Sequence, residues 1–410
     1  MNLSRVLIDI RLLSSGKTTG IEEYTRQMVK HLPVIDRDNE YALFYNSFKR
    51  REIELEWGDY PPIRANRRII GGHIHKNSEA PQNARSVSVK KYSIPNKLFD
   101  ASMRFFGYPK IDAWIRTDLI FSPHFNILSY SRGVKRVMTV HDLSFLHHPQ
   151  FFSWRKRFWH WLQNYKEQIL RADHLIAVSD YTKADVVELI GVPAEKITRI
   201  YSGIDASFRK ISLDDEEMQK YKRQHAMTRP FFLYMGVLEP RKNIVAIIRA
   251  FNAIKEDSRF REFQLVLAGS AGWLYNEIFE EARRSRWKTD IRFLGEIAPH
   301  DRVYTYNLAE AFIYPSFFEG FGFPPLEAQA CGIAVIASNR SSLPEILGSS
   351  ALLVDPWRID DIVVAAKEIV LSPRFKEKMV QAGFQNIRRF DWKKTATETL
   401  EIFKIQNSRF

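Results

Sequence analysis

The sequence of 410 residues contains a single cysteine, Cys331, and lacks long runs of apolar residues. One cysteine excludes a disulfide within the chain and is typical of a reducing cytoplasm, where Cys331 would pack as a small apolar side chain. The apolar segments fall far short of the roughly 18–20 residues that a membrane-spanning helix needs. The first residues lead straight into a strand-like segment rather than a charged and then apolar leader. We therefore expect a cytoplasmic protein without a transmembrane anchor.

Patterns that bind metals and triphosphates are also missing. No Asp-x-Asp stands at a predicted strand end, and Lys17-Thr18 lacks the glycine that a P-loop requires five residues before Gly16. His141, His147 and His148 lie close in sequence, but no carboxylate or cysteine accompanies them at a metal-binding spacing. We expect no metal site and no resident cofactor.

The length and the pattern of apolar residues predict two domains of the α/β class. A chain of 410 residues exceeds the usual size of one hydrophobic core. Strand-like runs alternate with helical spacing, which predicts parallel sheets with helices on both faces. The first series of strand-like runs is 6–10, 41–45, 119–122, 136–141, 174–179 and 197–201. The second series is 231–236, 264–269, 291–295, 311–315, 334–338 and 351–354.

A turn at 202–205 separates the two series, so we predict a first domain at 1–205 and a second at 206–390, each doubly wound and Rossmann-like. Helical spacing at 22–32, 154–170 and 359–371 fits this interpretation. Residues 52–110 are polar and irregular and receive no assignment. Ligands of such folds bind at the carboxyl ends of the strands, at topological switch points.

The net charge of +13 is concentrated in the first half of the chain, where residues 1–200 contain 31 Lys and Arg against 21 Asp and Glu. Aromatic residues interleave with these cations in Arg104-Phe105-Phe106 and in residues 154–161, which read WRKRFWHW. Such a surface suits an anionic membrane, with cations at lipid phosphates and rings at the interface. We predict this partner rather than nucleic acid. The alternative is an ordinary helix whose rings face the core.

Residues 311–327, which read AFIYPSFFEGFGFPPLE, combine a strand, a glycine loop and a helix start. Glycines at 320 and 322 let backbone N–H groups approach a ligand, and the helix N-terminus carries partial positive charge. Glu319 and Glu327, with seven residues between them, can each accept hydrogen bonds from a pair of vicinal hydroxyls. This layout favours recognition of a sugar attached to a nucleotide. The alternative is a pair of solvated charges.

The run from Pro315 to Gly332 closely resembles the donor site of retaining family-4 glycosyltransferases, which have the GT-B fold with two domains facing across a cleft. The resemblance implies that Glu327 binds the ribose hydroxyls. It also implies that Glu319 and the loop Gly320-Phe321-Gly322-Phe323 hold the transferred sugar. In this family the terminal helix, here within 391–410, crosses back onto the first domain.

A second segment of the resemblance is Gly236 followed by Arg241-Lys242, where the family binds the donor phosphates. Many members have Arg directly after the glycine, whereas this chain has Val237, so we assign that charge to Arg241 together with Lys242. Asn243 is predicted to cap the next helix. The loop of Glu296 matches the family segment beside the nucleobase. The alternatives are solvated cations and a plain strand-end turn.

In the first half, the resemblance places the family's active-site histidine at His141, where we expect it to orient the sugar or the leaving phosphate. Gly20 matches the end of the glycine loop on the acceptor side, although the usual paired glycines are missing. Ser179 is predicted to cap a helix. The alternative for His141 is a hydrogen-bonded core histidine.

Taken together, the resemblance implies a metal-independent retaining transferase with His141, Glu319, Arg241 and Lys242 as catalytic residues. The expected donor is a nucleoside diphosphate hexose, with a GDP-sugar favoured over a UDP-sugar because the motifs resemble bacterial mannosyl- and rhamnosyl-transferases most. The expected acceptor is a lipid-linked saccharide at the inner face of the plasma membrane, as in surface polysaccharide or O-antigen assembly. Two alternatives are a soluble glycogen-synthase-like or sucrose-type transferase and a non-catalytic module that binds sugar nucleotides or membranes. The oligomeric state stays open.

Overall fold

The structure, a computed structural model, describes residues 4–15, 19–47, 54–57, 60–64 and 87–407. Residues 16–18 of the N-terminal loop, and part of the unassigned segment 52–110, lie outside the described residues. The strands, in chain order, are β1 (Arg5–Asp9), β2 (Glu40–Asn46), β3 (Glu54–Trp57), β4 (Tyr60–Arg64), β5 (Val87–Tyr92), β6 (Leu119–Ser122), β7 (Lys135–Val140), β8 (His174–Ala177), β9 (Ile197–Arg199), β10 (Phe231–Met235), β11 (Gln264–Ala268), β12 (Ile291–Gly295), β13 (Ala311–Tyr314), β14 (Val335–Ser338) and β15 (Leu352–Val354).

The α-helices, in chain order, are α1 (Gly20–Ile35), α2 (Asn96–Phe106), α3 (Ile111–Trp114), α4 (Ser144–His147), α5 (Trp154–Leu162), α6 (Tyr165–Arg171), α7 (Asp180–Asp185), α8 (Glu216–Gln224), α9 (Ile244–Lys255), α10 (Asn276–Arg284), α11 (Arg302–Asn307), α12 (Phe323–Ala330), α13 (Leu343–Leu347), α14 (Ile359–Leu371), α15 (Pro373–Ile387) and α16 (Trp392–Asn407).

The chain divides into two compact units. The first unit contains the described residues of Met1–Leu143, Trp154–Gly203 and Asp391–Phe410, and therefore includes the terminal helix α16. The second unit contains Ser144–Ser153 and Ile204–Phe390. The segment Ser144–Ser153 lies within the predicted first domain but groups by its contacts with the second unit.

The first unit has a seven-stranded parallel sheet in the order β5-β2-β1-β6-β7-β8-β9. Its apolar strands are buried on both faces, as in β6, where all four residues are buried. The strand order reverses between β1 and β6, so their carboxyl ends mark the switch point of this sheet. β3 and β4 form a separate antiparallel pair.

The second unit has a six-stranded parallel sheet in the order β12-β11-β10-β13-β14-β15. All residues of β10, β11 and β13 are buried, because these apolar strands are covered by helices on both faces. The strand order reverses between β10 and β13. The segments that follow these two strands therefore leave the sheet side by side.

The predicted α/β fold class is confirmed by these two parallel sheets, and all twelve predicted strands are present. The helical spacing predicted at 154–170 is confirmed, but it is divided between α5 and α6, with a break between them. Asn164 at the break has a left-handed backbone with φ of 49°. The Gln163 side chain beside it accepts a hydrogen bond from the Ile127 N–H at 2.8 Å.

Candidate active site

Arg241, Lys242 and Glu319 meet at the switch point of the second unit, since the two cations follow β10 and the carboxylate follows β13. Glu319 Oε1 accepts a hydrogen bond from Lys242 Nζ at 2.6 Å, and Oε2 accepts one from Arg241 Nη1 at 3.1 Å. Only 6 % of Glu319 is exposed. The interpretation of these groups as separate solvated charges therefore does not hold, because they form one buried cluster.

Neighbouring polar groups complete the contacts of this cluster. Ser316 Oγ donates to Glu319 Oε1 at 2.6 Å, and Lys242 Nζ donates to the Tyr314 hydroxyl at 2.7 Å. The backbone N–H of Glu319 donates to Ser341 Oγ at 2.8 Å. The Ser316 bond orients the carboxylate, the Tyr314 bond orients Lys242, and the Ser341 bond fixes the backbone of Glu319. Such a set of contacts suits a preorganised site.

The charges of the cluster determine its protonation. Burial by itself would raise the pKa of Glu319, but Lys242 and Arg241 lower it to about 2. The carboxylate is therefore ionised at neutral pH. Burial and the neighbouring Arg241 lower the pKa of Lys242, and Glu319 opposes that effect.

The glycine loop after Glu319 leads directly into α12. Gly322 has φ of 102°, and a Cβ at this position would lie 2.7 Å from Leu343 Cδ2, so both backbone conformation and space favour glycine. Pro324 and Pro325 occupy the first turn of α12, as predicted. Phe321 and Phe323 pack ring against ring at 5.1 Å. The backbone of residues 320–323 is thus held at the start of a helix.

Glu327 lies on α12, where α11 supplies its partners. Arg302 and the Tyr306 hydroxyl both donate to Oε2, the latter at 2.8 Å. Within the described residues, no hydrogen bond reaches Oε1. Although burial lowers the pKa of Arg302, its contact with Glu327 raises it overall, so the guanidinium is charged. Glu327 is 5 % exposed and is not a solvated helix charge.

The loops after β10 and β11 are joined by backbone hydrogen bonds around Gly236. Its N–H donates to Ala268 O at 2.9 Å, and the Leu238 N–H donates to Ser270 O at 2.9 Å. The Glu239 carboxylate, 2 % exposed, then accepts from Arg241 Nη2 at 2.8 Å. These contacts position the Arg241-Lys242 segment over the sheet.

Asn243 is the N-cap residue of α9, as predicted, but the side-chain capping hydrogen bond expected of it is not formed. Asn243 has a left-handed backbone with φ of 57°. Its amide instead donates to Pro356 O at 2.7 Å and to Pro315 O at 3.3 Å. Asn243 therefore ties the segments after β13 and β15 together beneath the charged cluster.

The structure does not bring Glu296 into contact with the charged groups. It follows β12 on an exposed turn, and within the described residues no hydrogen bond joins it to Glu319, Glu327 or Lys242. Phe293, near the end of the same strand, stacks on Phe279 with ring centroids 4.5 Å apart. The assignment of Glu296 to the nucleobase stays a prediction.

The predicted acceptor-side residues lie in the first unit. Gly20 is the first residue of α1. Tyr24, one turn later, places its ring edge-on to the His141 ring at a centroid distance of 4.8 Å, and its hydroxyl lies 3.1 Å from Thr139 Oγ1. The N-terminal part of α1 therefore lies next to the residue that follows β7.

His141 is a neutral, hydrogen-bonded imidazole. Burial lowers its pKa to about 4, and Nε2 lies 2.7 Å from Pro123 O. Since a carbonyl oxygen can only accept, Nε2 carries the proton and Nδ1 presents a lone pair. His141 is thus suited to accept a hydrogen bond from a hydroxyl at Nδ1. The predicted cap at Ser179 is confirmed, since its hydroxyl accepts from the Thr182 N–H at 3.1 Å.

His147 and His148 face aromatic rings in the second unit. Their rings lie 5.0 and 6.0 Å from that of Phe318.

In the part of the chain that the structure describes, no group of three or more histidine, cysteine or acidic side chains is arranged to hold a metal ion. Among the same residues, no helix combines the length and apolar character needed to cross a bilayer.

Comparison with known proteins agrees with this geometry. Residues 215–386 match the family of glycosyl transferases group 1, and residues 18–208 match Glycosyltransferase Family 4. Sucrose-phosphate synthase from Thermosynechococcus elongatus, a GT-B structure, superposes with a TM-score of 0.74 at 18 % identity, over 99 % of this chain and all of that one. The chain belongs to the GT-B glycosyltransferases.

Bacterial mannosyltransferases are among the relatives of this glycosyltransferase. The O-antigen chain mannosyltransferase B of Escherichia coli is 28 % identical over 393 residues, which cover 94 % of this chain and 96 % of that protein. The O-antigen chain mannosyltransferase RfbU of Salmonella typhimurium is 27 % identical over 62 % of this chain and 67 % of its own length. The resemblance of the sequence to GT-B glycosyltransferases, and to bacterial mannosyltransferases among them, is therefore confirmed.

Proposed function

We propose that this glycosyltransferase moves a hexose from a nucleoside diphosphate sugar to a lipid-linked saccharide, with retention of the anomeric configuration and with GDP-mannose as the favoured donor. The observation that carries the proposal is the buried cluster of Glu319, Lys242 and Arg241 at the switch point of the second unit. The names of the relatives support a mannose donor and a place in O-antigen assembly.

The donor would bind along the carboxyl ends of β10 and β13. Lys242 and Arg241 are the cations of the cluster. When a diphosphate binds, they would give up part of their contact with Glu319 and would donate hydrogen bonds to phosphate oxygens instead. Oε1 of Glu327 would accept hydrogen bonds from the ribose hydroxyls. Glu319, together with backbone N–H groups of residues 321–323, would hold hydroxyls of the hexose.

The proposed reaction breaks the bond between the anomeric carbon and the diphosphate and forms a bond from that carbon to an acceptor hydroxyl oxygen on the same face. The hydroxyl proton passes to the departing diphosphate. Negative charge grows on this leaving group, where Arg241 and Lys242 stabilise it without a metal ion. His141, neutral and with its Nδ1 lone pair available, would orient a hydroxyl of the sugar rather than donate a proton to the phosphate.

Two assays together test this function. A thermal-shift screen with GDP, UDP and ADP identifies the nucleotide, because a ligand of the folded state raises the melting temperature. The enzyme is then incubated with GDP-mannose and a synthetic polyprenyl-linked mannoside, and the anomeric configuration of the product is read by NMR. We expect stabilisation by GDP and an α-mannosidic product. A β-linked product would contradict retention, and a melting temperature unchanged by all three nucleotides would contradict the donor site.

A further inference from the structure

An exposed aromatic stripe runs along α5 in the first unit. Trp154, Phe158 and Trp161 follow an i, i+4, i+7 spacing, which places their side chains on one face of the helix. They are 72 %, 55 % and 51 % exposed, and no residue of α5 is buried. The alternative of a helix whose rings face the core is therefore wrong.

Helix α2 extends the stripe into a wider surface. The Phe105 ring lies 6.5 Å from that of Trp161, and Phe105 is 61 % exposed. Leu98 stands two turns before Phe105 on the same face and is 66 % exposed, while the adjacent Phe106 is 82 % exposed. Large apolar side chains grouped in this way on a protein surface mark an interaction site.

The exposed charged side chains of α2 and α5 are all cations. Arg155 and Arg157 flank the stripe on α5, and both are exposed. The single acidic residue of α2 and α5, Asp100, is turned to other partners: its Oδ2 accepts from Gln163 Nε2 at 3.0 Å, and its Oδ1 lies 3.7 Å from Arg11 Nη1. Cations thus surround the rings without acidic neighbours from the same helices. We call the exposed side chains of α2 and α5 the aromatic–basic face.

We propose that the aromatic–basic face docks on an anionic lipid bilayer, with its rings at the interface and its arginines at lipid phosphates. Charge complementarity favours this partner, because each cation near an anionic bilayer adds about fivefold to the binding constant and rings such as tryptophan prefer the interface. The inference rests on the proposed lipid-linked acceptor, for which it supplies the surface that brings the enzyme to its substrate.

The ring geometry argues against nucleic acid as the partner. Phe158 and Trp161 stack on each other with centroids 5.5 Å apart, and the Arg104 guanidinium lies 5.5 Å from the Trp161 ring. Binding of single strands relies on aromatic faces that are open for bases to stack on. Rings that already cover one another suit insertion between lipid headgroups better.

Vesicle flotation of the full chain tests the proposal. We expect the wild type to float with vesicles of phosphatidylcholine and phosphatidylglycerol at 3:1, to bind pure phosphatidylcholine far less, and to be released by salt. Replacing Trp154, Phe158 and Trp161 by serine should weaken binding to the anionic vesicles at least tenfold. The matched control replaces three exposed apolar residues of the second unit by serine and should bind like the wild type: Leu213, Leu274 and Val364, 54 %, 53 % and 63 % exposed.

Two further measurements distinguish loss of membrane docking from loss of folding or of donor binding. Brominated lipids should quench tryptophan fluorescence of the wild type, and less so that of Trp161→Ser. The triple variant should keep its affinity for GDP in calorimetry, which shows that it is folded and distinguishes loss of docking from failure of the donor site. Equal vesicle binding by the triple variant, or wild-type binding to single-stranded RNA without binding to vesicles, would overturn the proposal.

Discussion

At the residue scale, the two carboxylates of the donor motif differ in their partners. Both oxygens of Glu319 accept hydrogen bonds from cations, whereas Arg302 and Tyr306 both contact Oε2 of Glu327. In the proposed complex, Glu319 therefore has to exchange contacts when the donor binds. Glu327 already presents Oε1, so we propose Arg302 and Tyr306 as positioning residues for it.

Replacing Arg302 by methionine or Tyr306 by phenylalanine should reduce the preference for ribonucleotides. Without these donors the Glu327 carboxylate loses its fixed orientation, and a hydrogen bond to a charged group is worth about 1.5–3 kcal/mol. We expect the ratio of affinities for GDP and 2′-deoxy-GDP, measured by calorimetry, to fall roughly tenfold.

The control is Arg292→Met, since this arginine of the same unit donates to the carbonyl oxygens of Ala226 and His225 rather than to Glu327. An unchanged ratio in the Arg302 and Tyr306 variants would reject their positioning role. If Glu327→Gln also left the ratio unchanged, the assignment of Glu327 to the ribose would itself be wrong.

The sequence reveals the residues whose spacing along the chain is diagnostic and misses those that meet only through the fold. Glu319, Glu327, Arg241 and Lys242 stand in short segments with glycines and prolines at defined offsets. Arg302 lies 25 residues before its partner on a different helix, so no local pattern marks it. Glu239, two residues before Arg241, is nearer, but its spacing alone does not reveal that it is buried.

At the element scale, glycine conformations hold the loops of the proposed donor site together. Gly269, directly after β11, has φ of 136°, and a Cβ there would lie 1.9 Å from Gly236 O. Its N–H donates to Gly295 O at 2.7 Å. The loops after three neighbouring strands therefore touch through backbone atoms, with no room for a side chain at Gly269.

Gly269→Ala should destabilise the protein by roughly 3 kcal/mol or more, because relief of the clash requires movement of the backbone that carries Gly236. Thermal or urea unfolding measures the change. Gly295→Ala is the matched control: its φ of 70° also disfavours alanine, but nothing lies within 4 Å of the added Cβ. The control should cost only about 1–2 kcal/mol. Equal effects of both substitutions would show that backbone conformation, rather than the close approach, requires glycine at 269.

Some strands and helix ends could not be predicted from the sequence pattern. The strands of both sheets are apolar runs and were predictable, but β5 reads VSVKKY within a polar segment and was not. Its pairing with the buried strand β2 makes it a strand, and that pairing is non-local. At the break between α5 and α6, Gln163 likewise contacts Ile127, 36 residues away, so no local pattern marks that break.

At the scale of the whole molecule, three histidines shielded from water couple stability to pH. Burial lowers the pKa of His124, His141 and His160 to about 4 each. His124 Nε2 lies 3.8 Å from an oxygen of Asp9, which opposes the effect only in part. These rings are neutral in the folded protein at pH 5–6, whereas they bind protons when unfolded.

The contribution of these neutral histidines to the free energy of unfolding should therefore be complete above about pH 6.5, the ordinary histidine pKa. It should fall as the pH drops toward 4. Each histidine contributes a slope of about 1.4 kcal/mol per pH unit in this window. Urea denaturation followed by tryptophan fluorescence from pH 8 to 4.5 measures the slope, and His124→Asn should reduce it by about a third. His300→Asn, a substitution at a ring that is 80 % exposed, is the control. A slope that His124→Asn leaves intact would contradict the assignment.

We propose that Lys242, held by Glu319 at the carboxyl ends of β10 and β13, receives the diphosphate of the donor. Calorimetric titration of GDP into the wild type, Lys242→Ala and the exposed control Lys220→Ala tests it most directly. A charge-assisted hydrogen bond to a buried cation predicts that Lys242→Ala binds GDP roughly 10- to 100-fold more weakly, while Lys220→Ala binds like the wild type. Equal GDP affinity of Lys242→Ala and the wild type would contradict the account.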